Sequence, residues 1–137
     1  MSKTSGAIEQ DIFDLLRNSS LKNLISGNIY KSGMRPMDAQ TEDIVVKFLT
    51  GRDYQIQDGM VNINAYVADI DNSSGKGTLV KNTRRCNEIA DALNSFVKDN
   101  FIINEYKLEL DEIIRTLETE NEQHFVNCRV RFKRITF

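Results

Sequence analysis

Residues 124–137, HFVNCRVRFKRITF, alternate cleanly enough to read as a strand with Val126, Cys128, Val130 and Phe132 on one face and Arg129, Arg131 and Lys133 on the other. Such a strand has a dry face to bury and a cationic face to neutralise, so its neighbours decide the fold. The preceding run 105–118, EYKLELDEIIRTLE, is rich in branched and apolar residues and is separated from it by the polar turn TENEQ, which predicts an antiparallel hairpin. A turn centred on Asn121 sets Asp111 opposite Arg131, Glu109 opposite Lys133, Ile114 opposite Cys128 and Leu110 opposite Phe132. Opposite charges that face each other across strands contribute about 0.2–1 kcal/mol each. The basic stripe therefore reads first as a cross-strand or subunit-facing charge ladder, and only second as a grip on nucleic acid.

Two further strands are expected upstream, EDIVVKFLTG and GMVNINAYVADID, joined by the hairpin-like loop RDYQIQD. In the second, Val61, Ile63, Ala65 and Val67 form a dry face, with Asn62, Asn64 and Tyr66 on the other side. The Gly- and Ser-containing stretch NSSGKGTLVKN then leads into a helix from Thr83 to about Asn100, on which Cys86, Ile89, Ala90, Leu93, Phe96 and Val97 share one stripe and Asn82 or Thr83 is the N-cap. AIEQDIFDLLRN places Ile8, Ile12, Leu15 and Leu16 on another helical stripe, continued by SLKNLISG after a break near Asn18 to Ser20. NIYKSGMRPMDAQT, punctuated by Gly33 and Pro36, reads as a short extended piece and a loop. The expected fold is α+β in a single domain, 1–137: a four-stranded, mainly antiparallel sheet packed with two helices, in the order α-β-β-α-β-β.

With 137 residues, 40% hydrophobic and 28% charged, the chain suits one buried core, and a net charge of −2 argues against a protein that coats DNA or RNA. MSKTSGAIEQ lacks the apolar region of a secretion signal, and no later segment has the roughly 18 apolar residues of a membrane span, so a cytoplasmic chain with no membrane partner is expected. Cys86 and Cys128 lie on apolar faces without metal-ligand spacing and read as buried thiols. His124, beside Glu120 and Glu122, reads as a solvated turn residue, not as part of a catalytic arrangement or a metal site. SSGKGT is similar to a phosphate-binding loop, but Ile70 stands where that loop needs its first glycine. Neither enzyme activity, cofactor nor metal is expected.

A second basic group, Lys76, Lys81, Arg84 and Arg85, sets two arginines in the first turn of a helix, where the macrodipole disfavours cations. The group reads first as solvated surface charge in a loop, and otherwise as a contact to an acidic partner surface, a neighbouring subunit or a phosphate backbone; in an assembly, a compensating acid is expected. The cluster Glu118, Glu120 and Glu122 is the most concentrated one, reached across a subunit boundary.

Taken in order, SGNIYKSGMRP, TEDIVVKFL, GMVNINAYVADID, the helix NTRRCNEIADALNSFV and the closing HFVNCRVRF resemble the small tail-completion proteins, or tail terminators, and related head-to-tail joining proteins of tailed phages and prophages. The resemblance covers nearly the whole chain from about Leu15. It implies a non-enzymatic virion component, assembled in the bacterial host cytoplasm, that self-associates into a ring, commonly a hexamer, at the end of the tail tube. Its partners would be the tail tube protein and the head connector proteins, and DNA would pass through the ring channel without specific binding. The family supplies no functional residue set. The candidate contacts are those chosen on physical grounds: Lys76, Lys81, Arg84, Arg85, Glu118, Glu120, Glu122, Arg129, Arg131 and Lys133. The alternative is a small nucleic-acid-binding module that uses the basic residues of the helix start and the last strand.

Overall fold

The computed structural model describes residues 2–72 and 77–135. The last strand, β9 (Gln123–Ile135), is one arm of the terminal hairpin and also the axis of the fold. Along one edge it pairs antiparallel with β3 (Ile56–Ala68) over its full length, from Ile56 opposite Ile135 to Ala68 opposite Gln123. Along the other it pairs with β7 (Tyr106–Leu110) and then β8 (Arg115–Glu118). Beyond β3 the sheet continues through antiparallel β2 (Ile44–Arg52) to β1 (Ile29–Lys31), which runs parallel to β2; beyond β7 it ends in β6 (Ile102–Ile103). A separate two-stranded ribbon pairs β4 (Ile70–Asp71) with β5 (Leu79–Val80).

The expected four-stranded sheet with two helices, in the order α-β-β-α-β-β, is thus overturned: the chain is mixed α+β, with a curled sheet of seven strands and three helices among the described residues. The reason is local. Strands of two or three residues have no alternation to read. The run 105–118 is also not one strand, because Asp111–Ile114 leave the ladder and split it into β7 and β8. Next to the turn, the expected register holds, with Arg115 opposite Asn127 and Glu118 opposite His124. Past the interruption it slips by two residues, so Glu109 faces Arg131, Leu108 faces Phe132 and Lys107 faces Lys133.

The helices form because each has an apolar stripe and a cap. α1 (Ser5–Arg17) begins at Thr4, whose Oγ1 accepts from the Ala7 amide (3.3 Å), and buries Ile8, Ile12 and Leu16. Ser19 donates to the Leu16 carbonyl (2.6 Å) and accepts from the Leu21 amide (3.2 Å), which separates α1 from α2 (Leu21–Leu24). α3 (Thr83–Asp99) is capped by Asn82, whose Oδ1 accepts from the Arg85 amide (3.2 Å), and buries Cys86, Ile89, Leu93, Phe96 and Val97. α1 lies over β1 and β2, and α3 lies chiefly over β9 and β7, less over β3. Together they cover the dry face formed by Val61, Ile63, Ala65 and Val67 with Val126, Cys128, Val130 and Phe132. Both cysteines are free and buried, and burial pushes the Cys128 thiol up to about 12.

Leu93 is fully buried at the centre of this contact. Leu93→Ala should lower unfolding free energy by about 2–5 kcal/mol, as a large-to-small change in a packed core does, measured by urea titration. A loss under about half a kcal/mol would make α3 peripheral.

A bulge between Phe48 and Thr50 lets β2 change faces, so that Thr50 and Arg52 join the side of the sheet away from the helices. It brings the backbones so close at Gly59 that a Cβ there would stand 2.0 Å from the Thr50 carbonyl oxygen. No helix among the described residues is long and apolar enough to cross a membrane.

Candidate subunit-contact surfaces

The sheet face opposite the helices carries the closing strand's cations. Arg131 and Arg129 both reach the Asp111 carboxylate, at 2.8 and 3.3 Å, because the residues that leave the ladder after β7 turn Asp111 back over it. The expected partners Asp111 and Arg131 therefore do pair, although Glu109 occupies the facing position. The expected pairing of Glu109 with Lys133 is replaced by Lys107 opposite Lys133, two like charges side by side. Beyond Lys133, Asp58 is held by Arg52 through two hydrogen bonds (3.2 and 3.1 Å), and this guanidinium keeps the Asp58 carboxyl below the usual carboxylate range. Lys47, Lys107 and Lys133 make no ion pair among the described residues. Asn127, between the charged rows, donates to Asn64 (2.7 Å) and Asn62 (3.3 Å).

At the start of α3 the charges resolve within the chain. Arg85 donates to both oxygens of Glu42 (2.6 and 2.8 Å), to Glu88 (3.0 Å) and to the Leu24 carbonyl. Its side chain is only 22% exposed, and hydrogen bonding to Glu42 is the largest of the effects that raise its pKa. The acid that offsets the macrodipole at Arg85 is thus Glu42 of the same molecule. Arg84 is 91% exposed and pairs with Glu88 one turn on (3.2 Å). Lys81 is exposed just before the helix. Lys76 lies outside the described residues.

Glu118, Glu120 and Glu122 sit at the tip of the β8–β9 hairpin, all exposed, with Glu122 at φ 58°. No ion pair links them to Arg84 or Arg85 among the described residues. Glu118, 85% exposed, lies 3.8 Å from His124. His124 itself is not a solvated turn residue: it is 14% exposed and its Nδ1 lies 2.7 Å from Asp69. Among the described residues no group of three or more potential ligands is placed to hold a metal ion.

The loop from Ser32 to Asp43 contains residues that sequence reasoning passed over. Asp43 is fully buried and accepts from Arg35 Nε (2.8 Å), Thr41 Oγ1 (2.8 Å) and the Asn28 amide (2.7 Å). The Arg35 guanidinium also stacks on Tyr66 at 4.2 Å and donates to the carbonyls of Ala39 (3.2 Å) and Thr41 (3.1 Å). Buried Gln123 donates to the Ala39 carbonyl (2.6 Å), which ties the loop to the first residue of β9. At the far end of β9, buried Arg134 donates to Gln57 (2.9 Å) and to Glu105 (3.4 Å). The usable signal for the first group was an arginine before the lone proline and an acid directly before a branched run.

Apolar side chains remain exposed at both ends of the β3–β9 ladder. Ile56, Ile102 and Ile135 line an open groove of 270 Å³ with Tyr106, rimmed by Lys107 and Lys133 and, at one edge, by Asn104 and Glu105. At the other end Met37, 93% exposed, lies beside Thr119 and Asn121 of the hairpin turn.

No protein-family model matches this chain, and no curated protein matches it. One solved structure, 11% identical in sequence, aligns with 96% of this chain and 96% of its own at a TM-score of 0.58; at that identity the likeness is one of fold alone.

Proposed function

We propose that this chain is a structural virion component of a tailed phage or prophage, a tail-completion protein that self-associates into a ring at the tail end and joins tail to head. The observation that carries the reading is where the words of the family resemblance meet. SGNIYKSGMRP and TEDIVVKFL are joined by the buried Arg35–Asp43 pair, and TEDIVVKFL is joined to the helix NTRRCNEIADALNSFV by Glu42–Arg85. The segments that resemble the family are thus those that hold the loop and α3 to the sheet, as expected when such words specify a scaffold. In this reading its partners are the tail tube and head connector proteins, and DNA crosses the ring without specific binding.

The test is sedimentation velocity and negative-stain imaging of the purified chain, alone and with tail tubes lacking their terminal ring. A ring-shaped particle in either case supports the reading. A chain that stays monomeric in both removes it. Flanking open reading frames that encode capsid and tail-tube proteins would be independent support.

A second reading, a nucleic-acid-binding module, draws on Lys47, Lys107 and Lys133 of the open face, which make no ion pair among the described residues. Against it, Asp111 already occupies both Arg129 and Arg131. We expect DNA affinity no tighter than about micromolar at physiological salt, the range of non-specific contacts. An anisotropy titration with tight binding and a steep salt slope would reverse the order of the two readings.

A further inference from the structure

We propose that the apolar groove at the end of β9 is a docking site for a second copy of this chain, which inserts Met37 and lays its β8–β9 turn on the lysines at the rim. The inference rests on the self-association proposed above and names the surfaces that make it.

Four observations converge on this contact. Lys107 and Lys133 face each other directly across β7 and β9, an arrangement that costs stability unless an anion lies against it. The two carboxylates close by are shared: Asp58, opposite Lys133 on β3, is hydrogen-bonded by Arg52, and Glu105 at the groove edge pairs with Arg134 (3.4 Å). Immediately beside the lysines, Ile56, Ile102 and Ile135 expose 51%, 69% and 51% of their surface around a groove of 270 Å³, large enough for a methionine side chain. At the opposite end of the same 13-residue strand, about 40 Å away at strand rise, the complement is present in one place. There Glu118, Glu120 and Glu122 protrude, and Met37 is fixed beside them because Gln40 donates to the Asn121 carbonyl (3.4 Å) and Gln123 to that of Ala39 (2.6 Å).

One end therefore presents lysines around an apolar recess, and the other presents glutamates beside an apolar projection. An antiparallel two-fold pair would also set each end on its opposite, but it would use both ends at once and stop at a dimer. A head-to-tail contact sets each end on its opposite, and it is this heterologous type of contact that closes into rings. It also gives the hairpin-tip glutamates a cationic partner in place of Arg85, whose charge Glu42 takes within the chain.

The test uses the full chain with Lys133→Glu, with Glu120→Lys, with both in one chain, and with the two single variants mixed. All substituted side chains are exposed, and circular dichroism checks the fold. Each single reversal should raise the concentration needed for assembly at least about tenfold at low salt, since like charges brought together across an interface cost more than 1.4 kcal/mol. The combined variant and the equimolar mixture should both assemble again, because each restores opposite charges at every contact. In parallel, with Ile102 exchanged for p-benzoylphenylalanine, irradiation of the assembled protein should cross-link to residues 34–40 of another copy. Single reversals that assemble like wild type, or a cross-link only to residues 136–137 of the same chain, would overturn this contact and leave the ring reading standing. A wild type that is monomeric at every concentration, salt and template condition would overturn both.

Discussion

Asp43→Ala is expected to destabilise the fold by about 3–5 kcal/mol, the cost of removing one partner from a buried ion pair. Asp43 is fully buried, and three donors converge on it: Arg35 Nε, the Thr41 hydroxyl and the Asn28 amide. Alanine leaves all three without an acceptor and strands a guanidinium whose side chain is only 12% exposed. Asp43 has no solvent-exposed surface, so water cannot reach the site without opening the loop. The expected result is a lower urea midpoint together with faster amide exchange over residues 32–43, which lose the Arg35 stack on Tyr66. Asp43→Asn should fall between, since it keeps the shape but turns one acceptor into a donor that faces Arg35 or the Asn28 amide. Against a total stability of about 5–15 kcal/mol for a domain this size, the alanine variant would be marginal. A cost under about 1 kcal/mol would mean the pair is dispensable and the loop is held by other contacts.

Arg85→Glu is the second large effect, on the order of 3 kcal/mol or more. The new carboxylate would sit among Glu42 and Glu88 and within reach of the Leu24 carbonyl, so four donor contacts become repulsions. Arg84→Glu, one residue earlier, should change stability by well under 1 kcal/mol, because Arg84 is exposed and its pair with Glu88 is screened. The contrast matters for any study of assembly. A monomeric Arg85→Glu protein would report a loosened α3, whereas Glu120 and Lys133 make no ion pair of their own among the described residues, although Lys133 faces Asp58 across β3 and β9. Urea titration of the two arginine variants side by side is the check, and equal stability would remove the intrachain role of Arg85.

The residues of α3 show how much could be read directly. Its apolar stripe follows from spacings of three and four residues, so the helix was legible at its true position, while the structure chose Asn82 over Thr83 as its cap. The alternation in β3 and β9, and the break between α1 and α2, were legible for the same reason: each is decided by neighbours in the chain. Arg85 marks the limit. Its position implied a compensating acid, and the sequence pointed to the hairpin-tip glutamates, whereas the contact is to Glu42, 43 residues away.

What the sequence by itself determined is therefore the set of local elements: where two helices lie, which faces of two long strands are dry, and that both cysteines belong inside. What only the tertiary structure decided is how those elements are ordered and joined. β9 pairs with β3 over its whole length; the 105–118 run breaks at Asp111 and shifts register by two; and the loop before β2 is locked by Arg35 and Asp43. Periodicity records a residue's relation to its own helix or strand, whereas strand order and buried ion pairs are settled by which distant surfaces exclude water together. That choice is made among all parts of the chain at once, and no window along it contains the answer.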